Sequence, residues 1–196
     1  HERSPEASEK ALELWNSMLN KGWDIGGTGG SDFHDLPGMP GFPLTFIRCG
    51  SPLPGRDELL SSLKKGRVAA GCGFLAVLQA EVCAGKDVLK WKPVIRPVDH
   101  PSADTVFPLR CELMICGTKV SSQVLFSAYD GSGELTGGIN KYIESCGENC
   151  WIRLDCRNSK GQLTGFSEVI RIKSLIHDND NNNNSNNGTA GEGGSV

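Results

Sequence analysis

The pattern of apolar residues changes near residue 73, and this change limits the folds open to the chain. After it, short runs of alternating apolar and polar residues follow one another without a convincing long helix, separated by Gly- and Asn-containing turns. The runs cover residues 74–82, 107–116, 120–129, 150–156 and 166–172. We therefore predict an all-β antiparallel sandwich over residues 74–174, since such domains have about 100 residues.

Before residue 73 the pattern is typical of alternating helices and strands. Apolar residues recur at three- and four-residue steps over 5–21 and end at Gly22, which predicts a helix. A short strand follows, then a glycine run, a strand over 44–49, a helix over 56–65 and an extended segment over 67–70. This order predicts an α/β layer or barrel in a first domain over residues 1–73.

The C-terminal tail, residues 175–196, is rich in Asn and Gly. It has too few apolar residues to offset the entropy of ordering, so we predict that it is disordered. Its three acids account for the whole net charge of −3, and residues 1–177 carry 20 basic and 20 acidic side chains. A neutral body argues against nucleic-acid binding, which needs a basic surplus. No run of 18 apolar residues occurs, so we expect no membrane span.

Asp32 and His34 are the candidate metal ligands. In extended backbone, residues two apart point to the same side, so the carboxylate and the imidazole can converge on one cation. A mixed oxygen and nitrogen pair suits zinc, manganese or iron. The alternative is that Asp32 caps a turn and His34 is an ordinary loop residue.

The motifs around this pair resemble the C-terminal part of PHP-domain metallohydrolases, the polymerase and histidinol phosphatase superfamily, and among them the carbaryl hydrolase-like branch. In that branch a helix with a Trp and a terminal Gly precedes a Gly-Ser-Asp-x-His segment. A later helix ends in Gly-Arg, and a β-sandwich follows. Residues 15–22, 30–34 and 63–67 occupy those three places. The resemblance spans about residues 10–173, and its specific part is 15–75.

The resemblance implies that residues 1–73 are the C-terminal part of a distorted α/β barrel, with Asp32 and His34 as the last metal-ligand motif of a hydrolase. Divalent zinc, manganese or iron would activate water to attack a small phosphate ester or another ester. The family's other ligand motifs do not occur here, and the chain begins at His1, so we expect most of the metal site to lie in a missing N-terminal part. The alternative is a non-catalytic β-sandwich binding or structural module that carries a remnant of the hydrolase domain.

Arg67 is the candidate substrate-binding residue. A guanidinium matches the geometry of a phosphate oxyanion, which is the reason for this hypothesis. The alternative is a cation at the end of a helix that interacts with the last carbonyl groups.

The eight cysteines contain no CxxC pair, and Cys146 and Cys150 are spaced CxxxC, so we expect no zinc ribbon. We interpret Cys111, Cys116 and Cys156 as buried free thiols in strands. If the protein is exported, a disulfide such as Cys146–Cys150 is the alternative interpretation. A cytoplasmic location is favoured, and export remains an alternative because we expect the N terminus to be incomplete.

Overall fold

The computed structural model of the chain describes residues 5–30, 43–83, 87–99, 109–127 and 131–176. In these ranges the helices are α1 (Pro5–Asn20), α2 (Arg56–Lys64) and α3 (Ile139–Cys146), and a 3₁₀ turn covers Gly147–Asn149. The strands are β1 (Leu44–Ile47), β2 (Val68–Gly71), β3 (Phe74–Val82), β4 (Val88–Pro97), β5 (Leu109–Ile115), β6 (Thr118–Leu125), β7 (Gly133–Thr136), β8 (Trp151–Arg157), β9 (Leu163–Phe166) and β10 (Ile170–Arg171).

The larger of the two sheets has seven strands in the order β1-β2-β9-β8-β5-β6, with β10 also paired to β8. The smaller sheet has the order β3-β4-β7. Every strand pair in the described part of the chain is antiparallel. Neither sheet closes into a barrel over those residues.

The predicted α/β barrel over residues 1–73 is therefore wrong. A barrel would need α2 to carry the chain from one end of the sheet to the other, which makes β1 and β2 parallel. Instead β2 begins beside the end of β1, with Ile47 opposite Val68, so α2 returns the chain to the same end. A strand–helix–strand pattern is expected for both the parallel and the antiparallel arrangement of β1 and β2, so the sequence pattern did not distinguish between the two. β2 also pairs with β9, with Ala70 opposite Phe166, across the predicted boundary at residue 73.

The two antiparallel sheets pack face to face, in agreement with the predicted β-sandwich. Alternate residues of the long strands point between the sheets because successive side chains of a strand lie on opposite faces. The buried core contains Phe74, Ala76, Leu78, Val82, Leu89, Trp91, Ile95, Leu109, Cys111, Leu113, Ile115, Leu125, Ile139, Cys150, Ile152, Leu154, Cys156 and Ile172. Residues 172–176 form a helical turn at the edge of this core.

Helix α1 covers the outer face of the larger sheet and confirms the helix predicted over 5–21. Leu12, Trp15 and Leu19 lie on one face of the helix and form a second buried cluster with Met114 and Trp151 of the sheet. This cluster makes α1 part of the same folded body as the β-rich segment.

No helix in the described ranges combines the length and the apolar character needed to cross a membrane. The predicted disordered tail lies outside the described residues from residue 177 onward.

Candidate metal centre

The predicted metal ligands Asp32 and His34 lie outside the described residues. On the N-terminal side of that segment, Gly29 is fixed to β1: its N–H donates to Thr45 Oγ1 and its carbonyl accepts from the same hydroxyl, both at 2.9 Å. Asp32 and His34 stay predicted ligands.

Arg67 is exposed and lies directly before β2. Its backbone N–H donates to the carbonyl of Ser62 at 3.0 Å, and its carbonyl accepts from Arg48 N–H at 3.0 Å. Among the described residues the Arg67 guanidinium has no hydrogen bond or ion pair. Its role in substrate binding stays a prediction.

Three other side chains come together at one end of the larger sheet. Cys116 follows β5, Cys146 is the last residue of α3, and Cys150 immediately precedes β8. Their Sγ atoms all lie within 4.8 Å of one another, and the Cys116 and Cys150 sulfurs are 3.6 Å apart. The fold therefore assembles a three-thiol cluster from positions 116, 146 and 150.

The backbone at Cys116 is unusual. Cys116 and Gly117 form the two-residue loop between β5 and β6, and both have positive φ, +50° and +88°. This pair of φ values is the signature of a type I′ hairpin turn, in which Asn-Gly is favoured. A non-glycine residue in the left-handed region costs about 1–2 kcal/mol. Cys116 is the one non-glycine residue with positive φ in the described ranges.

Helix α1 holds this turn in place. The Asn20 side-chain amide donates to the carbonyl of Cys116 at 3.2 Å and accepts from Trp151 Nε1 at 2.7 Å. The Cys116 N–H also donates to the Trp151 carbonyl at 3.1 Å. The thiol of Cys116 is thus positioned by both α1 and β8.

The CxxxC segment forms a compact turn. Gly147, with φ +57°, ends α3 directly after Cys146, and its carbonyl accepts from the N–H of Cys150 at 3.1 Å. Arg171 Nη1 donates to the Asn149 carbonyl inside this turn at 2.8 Å. These contacts bring the second and third thiols beside Cys116.

The spacing of the cluster fits a thiolate-bound metal ion. Zinc binds sulfur at about 2.3 Å with tetrahedral geometry, which separates two ligand sulfurs by about 3.8 Å. The 3.6 Å between the Cys116 and Cys150 sulfurs is close to that separation, and the Cys146 sulfur lies within 4.8 Å of both. Within the described ranges the group consists of these three ligands, so a fourth position would be open to water or another donor.

The three thiols do not share one pKa. The hydrogen bond that Cys116 donates to Cys150, followed by burial, raises the pKa of Cys116. The same hydrogen bond lowers the pKa of Cys150. Burial raises the pKa of Cys146 to about 11. Cys150 is therefore the thiol that most readily becomes the thiolate that a metal ion requires.

The remaining sequence interpretations of the cysteines are partly confirmed. Cys111 and Cys156 are fully buried free thiols, opposite each other in β5 and β8, with their sulfurs 3.8 Å apart. Cys116 is free but partly exposed and lies in a turn, because the hairpin loop takes in the residue after Ile115. Cys146 and Cys150 are free thiols rather than a disulfide.

Comparison with known proteins identifies no relative whose site could be compared with this cysteine cluster. No family model, no curated protein and no solved structure matches the chain. The resemblance to PHP-domain metallohydrolases stays a prediction from the motifs of residues 15–75.

Proposed function

We propose that the chain is a β-sandwich module that binds one structural zinc ion through Cys116, Cys146 and Cys150. The convergence of three thiol sulfurs within 4.8 Å carries this proposal. Thiolates favour soft and borderline metals, and zinc is the common divalent ion that accepts three of them with tetrahedral geometry.

A structural role suits the charge of such a centre better than a catalytic one. Three thiolates on a divalent ion give a net charge of −1, which weakens the ion's ability to ionise a bound water. Cys146 and Cys150 lie at the end of a helix and just before a strand, four residues apart, and Cys116 lies in a hairpin turn 30 residues before Cys146. An ion bound to all three would join the β5–β6 hairpin to the α3–β8 connection.

Metal analysis tests the proposal. Full-length chain, purified with reductant and reconstituted with zinc, should retain about one zinc per chain after desalting, because the site offers one set of ligands. Cys146→Ser should retain little, since two thiolates hold a divalent ion weakly. Cys83→Ser is the matched control, because Cys83 is also a partly exposed free cysteine but lies outside the cluster.

Two results would contradict the zinc proposal. Equal zinc retention by the wild type and Cys146→Ser would place the ion elsewhere. Failure of the reduced wild-type chain to retain zinc would exclude a tight site.

A metal-dependent hydrolase is a second proposal, in which Asp32 and His34 supply part of the site. One structural observation supports it: a cavity of about 450 Å³ is lined by residues 26–30 and Pro43, which flank the segment containing that pair. Its test is hydrolysis of p-nitrophenyl phosphate with added manganese or zinc. Loss of turnover in His34→Ala but not in Cys146→Ser would support it, and equal turnover in the wild type and His34→Ala would contradict it.

A further inference from the structure

A second cavity, of about 560 Å³, lies where the β1–β2 end of the larger sheet meets the β3–β4 hairpin. Three arginines line it: Arg48, Arg67 and Arg96. Arg48 directly follows β1 and Arg67 directly precedes β2, and the backbone bond between them continues the antiparallel ladder. Arg96 belongs to β4, opposite Leu75 of β3. The fold therefore brings together three guanidinium groups from positions 48, 67 and 96.

The charges in this cavity are unbalanced. Two like charges directly opposite each other on neighbouring strands are destabilising, and Arg48 and Arg67 have that relationship. Glu168 is the one carboxylate that lines the cavity within the described ranges, and it accepts from Arg48 Nη2 at 2.7 Å. Over the same ranges Arg67 and Arg96 form no ion pair. Three positive charges thus face one negative charge.

The walls of the cavity are mainly apolar. Phe46, Leu75, Val77 and Leu175 are among the lining residues, beside the arginines. A volume of this size is typical of a small-molecule site, in which apolar walls hold the body of a ligand and a few polar groups orient it. The ligand that fits has one strongly anionic group and an apolar body.

We propose that this cavity binds a small phosphate monoester with an apolar body. A phosphate monoester carries a charge of about −1.5 to −2 at neutral pH, which offsets the surplus of two positive charges. Arg67 and Arg96 bind the phosphate oxygens, because a guanidinium fork matches them and neither has another described partner. Arg48 contributes its remaining N–H groups while it stays bonded to Glu168. This binding does not depend on the zinc centre.

Phenyl phosphate is the probe for this site, with affinity measured by calorimetry on the full chain. Arg67→Gln and Arg96→Gln should each weaken binding by about tenfold, since each removes charge-assisted hydrogen bonds. Lys160→Gln is the control, because it removes one positive charge from the turn after β8, away from the cavity. Phenol should not bind, and inorganic phosphate should bind more weakly than phenyl phosphate because it leaves the apolar walls unused.

Several outcomes would overturn the proposal. Equal weakening by Lys160→Gln would show unspecific charge attraction, and absence of phenyl phosphate binding at millimolar concentration would exclude the site. Equal affinity for inorganic phosphate would exclude the apolar body. Binding to vesicles that contain phosphatidic acid without binding of phenyl phosphate would assign the surface to a membrane instead. Circular dichroism checks that each variant is folded. If Arg67→Gln does not fold, the Arg96→Gln variant tests the proposal, because Arg96 is exposed.

Discussion

The guanidinium of Arg153 donates two hydrogen bonds to the carboxylate of Asp155, at 2.6 and 3.0 Å, and neither side chain is exposed. Both residues lie on β8, on the face of the larger sheet that α1 covers. The Arg153 guanidinium also stacks 4.1 Å from the ring centroid of Trp15. Its Nη1 has no hydrogen-bond partner among the described residues. The ion pair is thus sealed between the helix and the sheet.

We predict that Asp155→Ala lowers the free energy of unfolding by about 3–5 kcal/mol, because it leaves a buried guanidinium without its counter-charge. Urea denaturation followed by circular dichroism measures the change. The matched control is Asp24→Ala: Asp24 contacts Arg171 at 3.3 Å, but its side chain is 71% exposed. An exposed pair contributes about 0–1 kcal/mol, so similar losses in both variants would contradict the assigned role of burial.

Removal of the metal should destabilise the folded chain. A bound ion at 100 times its dissociation constant stabilises the native state by about 2.7 kcal/mol, which corresponds to about 5–10 °C in melting temperature for a chain of this size. We therefore expect a chelator to lower the melting temperature of the zinc-loaded wild type and to leave that of Cys146→Ser unchanged. Differential scanning calorimetry checks both. An equal chelator effect on the two proteins would mean that the stabilising ion is bound elsewhere.

The turn at Cys116 allows strain and metal binding to be separated. Cys116→Asn places the favoured Asn-Gly pair in the type I′ turn, so it should stabilise the metal-free protein by about 0.5–1 kcal/mol. The same change removes one thiolate, so the variant should lose zinc. Urea denaturation with chelator present measures the first effect, and metal analysis measures the second. A less stable metal-free variant would contradict the turn assignment, and unchanged zinc content would remove Cys116 from the centre.

The sequence predicted the β-rich part of the fold better than its topology. Alternation and turn residues located most long strands, but β4 was not predicted, because Pro93 and Pro97 lie within it and Pro disfavours a strand interior. In the structure β7 pairs only with Val88–Trp91 of β4. Both prolines lie after this stretch, where β4 pairs with β3 alone among the described strands. The return of β2 to β1 was also missed, since it depends on tertiary packing rather than on local pattern.

The candidate metal centre was only partly visible in the sequence. The CxxxC spacing of Cys146 and Cys150 marked two of its ligands, but a zinc ribbon requires a different spacing. Cys116 lies 30 residues before Cys146, and only the pairing of β5 with β8 brings it beside Cys150. One local signal was present: Cys116-Gly117 separates two alternating runs, which is the position of a hairpin dipeptide.

The last prediction concerns the boundary proposed at residue 73. If residues 74–174 formed an independent domain, they should unfold cooperatively on their own. We expect instead that this segment, expressed alone, lacks a cooperative transition. The segment lacks α1, so Trp151 and the Arg153–Asp155 pair would be exposed to solvent. It also lacks β2, so β9 would lose one of its two neighbouring strands.

Near-ultraviolet circular dichroism and urea denaturation of residues 74–174 test this expectation, and binding of a hydrophobic dye reports the exposed face. The control removes residues 177–196 alone, which takes away none of the described packing and should leave the unfolding transition unchanged. A cooperative transition of residues 74–174 with native-like near-ultraviolet signals would contradict the expectation. It would show that the contacts of α1 and β2 add to a sandwich that already folds without them, and that the predicted boundary is correct.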